Sequence, residues 1–175
     1  MSILDLVHHR WALPLLTELH ASGGGSRFVP LLHALGASRE SLRQTLASLL
    51  DAGLVERNPG YGHPLRPEYV LTTRGGRIAP ACAALVAALR RADVEYVGLK
   101  KWSIPVLLEL ASERRFAELR ETLGASPRAL TLALKDLGDA GLVERRVHDG
   151  YPPTSSYRLT RRGRPIVRTA ARIAV

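Results

Sequence analysis

The phrase DAGLVER occurs twice in the chain, at residues 51–57 and 139–145, 88 positions apart. The same offset sets RFVPLLHALGAS at 27–38 against RFAELRETLGAS at 115–126. From 27–78 against 115–166 there are 25 identities in 52 positions without a gap. Chance does not give such agreement, so the chain carries a tandem duplication. Upstream, WALPLLTEL at 11–19 matches WSIPVLLEL at 102–110, with Trp11 opposite Trp102, but at an offset of 91. The three extra residues of the first copy lie in the turn SGGGS. Any fold for this chain must therefore be built twice, and 175 residues are enough for two small units, expected at 1–92 and 93–175.

Each unit reads alike from its N-terminus. Residues 13–19 and 104–110 predict a first helix, with Pro14 and Pro105 fitting a first helical turn or a kink. VPLLHAL and AELRETL predict a second helix, and Gly36 or Gly124 makes the turn that follows. Ser38 and Ser126 are natural N-caps for a third helix, with Pro127 suited to its first position in the second copy. Leu42, Leu46, Leu49 and Leu50 recur at the spacing of one helical stripe, which faces the core and leaves the other face outward. Gly53 and Gly141 end that helix. LVER then starts a strand that returns through EYVLT or SYRLT, a hairpin that forms a wing. The pattern is helix, glycine turn, capped helix, wing. The fold class expected is mainly α with small β wings, two tandem winged helix-turn-helix units.

Between the copies lies an Ala-rich segment, read as one helix over residues 78–97 with Gly98 as its stop. Ile78, Cys82, Leu85, Val86 and Leu89 form its apolar face, which needs a partner. The expected arrangement is a pseudo-dimer in which the lobes pack through connecting helices.

Charge narrows the class of function. With 25 Lys and Arg against 16 Asp and Glu the chain carries +9, a balance suited to a polyanionic partner such as nucleic acid. A GC-rich coding bias accounts for 22 Arg against 3 Lys but not for the sign of the total. No apolar run reaches the ~20 residues of a membrane span, and MSILDLVHHRW lacks the features of a secretion signal, so no membrane association and a cytoplasmic location are expected. One cysteine, Cys82, leaves no disulfide framework and no multi-cysteine zinc site. The histidines show no metal spacing, and no phosphate loop or nucleophile elbow is present, so neither an enzyme nor a metal or other cofactor is expected.

The motifs KKWSIPVLLEL, Arg-Phe before the second helix, the Ser-capped third helix, GLVERRVHDGYPP and YRLTRRGRPI together resemble the HxlR-type winged-helix transcription regulators. The resemblance runs over nearly the whole chain, once per copy, and is fuller in the second. It implies double-stranded DNA as partner and a function in transcription regulation. Members of that family are usually one-unit homodimers, so the tandem copy implies a dimer fused into one chain, able to act as a monomer; further dimerisation stays open. Redox-sensing members carry a cysteine ahead of the helix-1 Trp, which neither copy has.

In a helix-turn-helix, outward residues near the start of the last helix reach base edges. Those residues are Arg39, Ser41, Arg43 and Gln44 in the first lobe, and Arg128, Thr131, Leu132 and Lys135 in the second. Arg suits guanine, Gln suits adenine, and Thr or Leu suits the thymine methyl. Core leucines agree between copies while Arg43/Thr131, Gln44/Leu132 and Ala47/Lys135 differ. Two lobes reading different half-sites would give this pattern, and so would drift on an unused surface. Phosphate contacts are assigned to the caps Ser38 and Ser126 and to Arg57, His63, Arg66, Arg145, Arg146, His148, Arg158 and Arg161.

Two other functions compete. Trp11, Trp102, Tyr96, His8 and His9 flank the connecting helices. With Cys82 they either pack the core or line an inter-lobe cleft for a small-molecule effector. The chain could then be a small-molecule-binding protein. A winged-helix protein-interaction module without DNA binding is the third class, opposed by the Arg and Lys on both third helices.

Overall fold

The structure, a computed structural model, describes residues 3–58, 67–149 and 154–173. It divides into two compact units, the first running to Val86 and taking in Ile173, the second spanning Ala87–Arg172. The first unit contains α1 (Ile3–Leu6), α2 (Ala12–Ala21), β1 (Gly25–Arg27), α3 (Phe28–Leu35) and α4 (Arg39–Asp51). It continues with β2 (Val55–Asn58), β3 (Glu68–Leu71) and α5 (Thr73–Arg91), which crosses the division. The second contains α6 (Glu95–Gly98), α7 (Ser103–Glu109), β4 (Arg114–Arg115), α8 (Phe116–Leu123) and α9 (Pro127–Asp139). It ends with β5 (Val143–His148), β6 (Thr154–Leu159) and α10 (Gly163–Ala170). The duplication in sequence is thus a duplication in element order.

Local chemistry explains the boundaries. Pro14 and Pro105 are each the third residue of their helix, in the first turn, where backbone N–H groups have no intrahelical acceptor. α3 and α8 stop at Gly36 and Gly124, both at φ 61°, a left-handed conformation that a Cβ disfavours. Extended Ser38 and Ser126 follow, their hydroxyls accepting the N–H groups of Ser41 and Ala129 at 3.1 and 3.3 Å. Such caps contribute about 1 kcal/mol each. Pro127 takes the first position of α9, as its fixed φ favours.

α4 buries Leu42, Thr45, Leu46 and Leu49, and α9 buries Leu130, Ala133, Leu134 and Leu137. Leu50, on the expected stripe, is half-buried. The Thr45 hydroxyl donates to the Ser41 carbonyl at 2.7 Å, so its burial leaves no unmet donor. α4 packs against α2, and α9 against α7 and α8. Truncating a leucine as enclosed as Leu42 or Leu130 would cost about 2–5 kcal/mol.

Each unit has a three-stranded antiparallel sheet, ordered β1-β3-β2 and β4-β6-β5. The first hairpin pairs from Val55 with Leu71 to Asn58 with Glu68. The second is longer, from Val143 with Leu159 to His148 with Thr154. Both wings expected from the sequence are present.

The connecting helix differs from expectation. It begins at Thr73, not 78, and ends at Arg91, not 97, with Asp93 at φ 53° beyond it and the short α6 completing the segment. Gly75 and Gly76 do not delay its start. A Cβ at Gly75 would stand 1.9 Å from the Leu54 carbonyl oxygen, so glycine there lets the helix touch the turn after α4. Gly163 meets the Leu142 carbonyl in the same way, at 2.5 Å. Nor is Gly98 the stop of a long helix: the Leu89 side chain fills the space its Cβ would take, at 2.4 Å.

Candidate nucleic-acid interface

With the leucine stripe inside, Arg39, Arg43 and Gln44 stand exposed on α4, and Ser41 is half-buried with its hydroxyl accepting from Ser38 at 2.9 Å. Glu40 engages two of these candidates. Its carboxylate accepts from the Gln44 amide at 2.9 Å and lies 4.0 Å from the Arg43 guanidinium. On α9, Arg128, Thr131, Leu132 and Lys135 are all exposed, Leu132 at 56%. Lys135 donates to Asp139 at 2.6 Å, and that hydrogen bond, followed by the Asp139 charge, raises the ammonium pKa. Exposed pairs one helical turn apart are worth only about 0.2–0.5 kcal/mol, so an incoming base or phosphate can displace them. The two outward faces differ in kind: α4 offers two guanidinium groups and an amide, α9 one guanidinium, an ammonium, a methyl-bearing hydroxyl and a bare Leu.

The wings carry the remaining candidates. Arg57 on β2 and Arg161 beyond β6 are exposed, and among the described residues neither side chain has an ion pair or hydrogen bond. Arg145 donates to the Ser155 hydroxyl at 3.1 and 2.8 Å. Arg158 pairs through Nε with Glu144. Arg146 and His148, two apart on β5 and so on one face, both approach Glu113, at 3.6 and 3.5 Å. Ser156 completes this group: buried, it donates to Glu113 and lies 2.6 Å from His148 Nε2. The Ser156 hydrogen bond, then the charges of Arg146, His148 and Arg158, hold the Glu113 carboxyl below its ordinary pKa. His63 and Arg66 lie outside the described residues.

Sequence reasoning missed a set of residues that fixes the ends of α4 and α9. The Thr72 hydroxyl donates to the Gly53 carbonyl at 2.8 Å and accepts the Gly75 N–H at 3.0 Å; Thr160 does the same with Gly141 and Gly163, at 2.7 and 3.2 Å. Arg74 reaches the Ala52 carbonyl at 3.3 Å, and Arg162 the Ala140 carbonyl at 3.0 Å. Each threonine, arginine and glycine thus ties the turn closing α4 or α9 to the start of α5 or α10. Their signal was in view: all three are identical between copies, in LTTRGG and LTRRGR.

The candidates for an effector cleft are spread over both units. His8, exposed, and His9, half-buried, stand edge to face with centroids 5.2 Å apart. Trp11 and Trp102 take equivalent places before α2 and α7, each under the cation of its preceding residue, Arg10 at 5.4 Å and Lys101 at 5.2 Å. Tyr96 is exposed at 62%, with the Lys100 ammonium 5.1 Å from its ring. Lys100 also donates to Asp136 of α9 at 2.7 Å. Cys82 is fully enclosed in α5, and burial pushes its thiol pKa up to about 12, the state of a packing residue and not of a reactive thiolate. Among the described residues no group of His, Cys, Asp or Glu is placed to hold a metal, and no helix is long and apolar enough to cross a membrane.

Two capped helix-turn-helix motifs, each followed by a β hairpin and stitched to the next helix, define a protein of two winged-helix units. The model of the HxlR-like helix-turn-helix family matches residues 6–92 and again 97–174, and the chain belongs to that family. Among curated proteins it is similar to the HTH-type transcriptional regulator sll1512 of Synechocystis, 46% identical over 68 residues, 38% of this chain and 50% of that protein. It is also similar to the HTH-type transcriptional regulator Mb3122 of Mycobacterium bovis, 39% identical over 83 residues, 47% and 51% of the two chains. The chain spans about half the length of these relatives. Among solved structures, the redox regulator HypR in its oxidized form is 28% identical with a TM-score of 0.44, covering 47% of this chain and 87% of that one.

Proposed function

We propose that the protein is a sequence-specific double-stranded DNA-binding transcription regulator, acting without enzymatic chemistry in the cytoplasm through two non-identical recognition helices. One observation carries this reading. The inward faces of α4 and α9 share their leucines at Leu42/Leu130, Leu46/Leu134 and Leu49/Leu137 and differ in the buried set only at Thr45/Ala133, while the exposed Arg43/Thr131 and Gln44/Leu132 differ. Two helices packed alike but presenting different chemistry suit two different half-sites. Family membership and the regulators named among its relatives support DNA as the partner.

In this mechanism the N-terminal turns of α4 and α9 enter successive major grooves. Arg43 and Gln44 read guanine and adenine, while Thr131 and Leu132 meet thymine methyl groups. Arg57, Arg145 and Arg161 neutralise phosphates beside them, which sets affinity and register but not sequence. Selection of duplexes from a random pool at about 150 mM salt, where purely electrostatic binding is suppressed, tests the reading. An enriched, asymmetric, two-part site is the expected result. A single half-site would leave one helix without a reading function, and no enrichment would overturn sequence-specific binding.

A further inference from the structure

A pocket of about 430 Å³ opens on the second unit, bordered by the end of α7, β6 and α10. Its floor is apolar, made by the buried Leu110, Leu159 and Val167. Three guanidinium groups stand around that floor, those of Arg158, Arg164 and Arg168. Arg164 and Arg168 are one turn apart on α10, and among the described residues neither side chain has an ion pair or hydrogen bond. Like charges at that spacing destabilise a helix. One carboxylate, Glu113, also lines the pocket, and it is engaged by Ser156, Arg146 and His148, while Glu144 pairs with Arg158, which leaves the α10 guanidinium groups as the cations to meet an anion.

The duplication supplies an internal control. At the 88-residue offset Leu159 and Val167 correspond to Leu71 and Ala79, and at the 91-residue offset of the first helices Leu110 corresponds to Leu19, so the floor is apolar in both copies. Arg158, Arg164 and Arg168 correspond to Val70, Gly76 and Pro80. The second copy differs from the first by placing three cations around one apolar hollow. A general basic bias adds arginines to a surface without gathering them there.

We propose that this pocket binds one small organic carboxylate with an apolar body. The body lies on Leu110, Leu159 and Val167, and the carboxylate takes a forked pair of hydrogen bonds from the α10 guanidinium groups. The volume lies within the range of small-molecule sites, and the apolar floor ringed by charged groups suits a ligand with an apolar body and an anionic end. None of the residues expected from the sequence to line an effector cleft belongs to it. α10 packs on α7, which packs on α9, so an occupant would bear directly on the elements that hold the second recognition helix.

The test is calorimetric titration of the full chain, without DNA, using benzoate, 2-naphthoate and octanoate, each against its primary amide. At least one carboxylate is expected to bind with a dissociation constant of about 1 mM or tighter, one per chain, and roughly tenfold more tightly than its amide. The double variant R164Q/R168Q should lose roughly tenfold in carboxylate affinity while melting like the parent, since both side chains are exposed. Failure of all three carboxylates, equal binding of the amides, two equivalents per chain, or unchanged affinity in the variant would each overturn the proposal. Because no DNA is present, none of these results bears on the reading of α4 and α9.

Discussion

Glu40 is the residue least expected on α4 if that helix reads DNA, as proposed. It sits in the first turn of α4, where a carboxylate is favoured by the helix dipole, and it engages both Arg43 and Gln44. On DNA it would also face phosphates. Glu40→Ala is therefore expected to tighten binding of the selected site roughly threefold, with little change in sequence preference and a stability loss of about 0.5 kcal/mol or less. Competition titration and thermal melting would read both effects. Weaker binding with relaxed preference at one base pair would instead mean that Glu40 itself contacts a cytosine amino group. Glu113 gives a residue-scale test through pH. Its folded pKa is depressed, so the stabilisation it provides is present above the ordinary carboxylate range and lost as pH falls through the lowered value. Glu113→Gln should melt below the parent at pH 7, and the gap should close as both are brought toward pH 3. A gap that persisted in acid would mean that shape and not charge makes the contact. The paired cap serines were legible as residues because short polar caps at helix starts have a local chemical signature. The Ser156, His148 and Glu113 cluster was not, since its members come from three separate stretches that only the sheet brings together.

At the scale of elements, α4 and α9 were legible from sequence because their leucine spacing, serine caps and closing glycines all point one way. The start of α5 differs from the sequence expectation for a physical reason. Glycine normally signals a break, but Gly75 is needed by contact with the Leu54 carbonyl, a tertiary demand that local propensity cannot express. Gly76, beside it in the same helix, has nothing within 4 Å of an added Cβ. The neighbours thus make a matched pair. Gly75→Ala is expected to destabilise by about 2 kcal/mol or more, by forcing α5 off the turn that ends α4. Gly76→Ala should stabilise by about 0.5–1 kcal/mol through helix propensity alone. Denaturant midpoints of the two variants would decide the matter. Equal effects would show that the close approach does not constrain the helix. Since Thr72 and Arg74 join the same turn, loss of DNA affinity in Gly75→Ala beyond its stability change would place this junction in control of how α4 is presented.

For the whole molecule, if both units bind DNA as proposed, duplication within one chain changes the energetics of recognition. When one unit has engaged its half-site, the tether holds the other at an effective concentration in the millimolar range, provided the geometry fits. Two weak units can then bind tightly, and the advantage depends on the rotational setting of the half-sites, which lie about one helical turn apart in such motifs. Adding five base pairs between them turns the second half-site to roughly the opposite side of the duplex. If both helices read, that insertion should weaken binding at least tenfold, while the double variant R43A/Q44A, already limited to α9, should bind the original and the lengthened site nearly alike. The coupling between insertion and substitution is the informative quantity, because each change alone also perturbs local contacts. Insertion and substitution that combined independently would mean that the units do not bind as a tethered pair. The second copy of DAGLVER would then preserve a fold without preserving a shared act of reading.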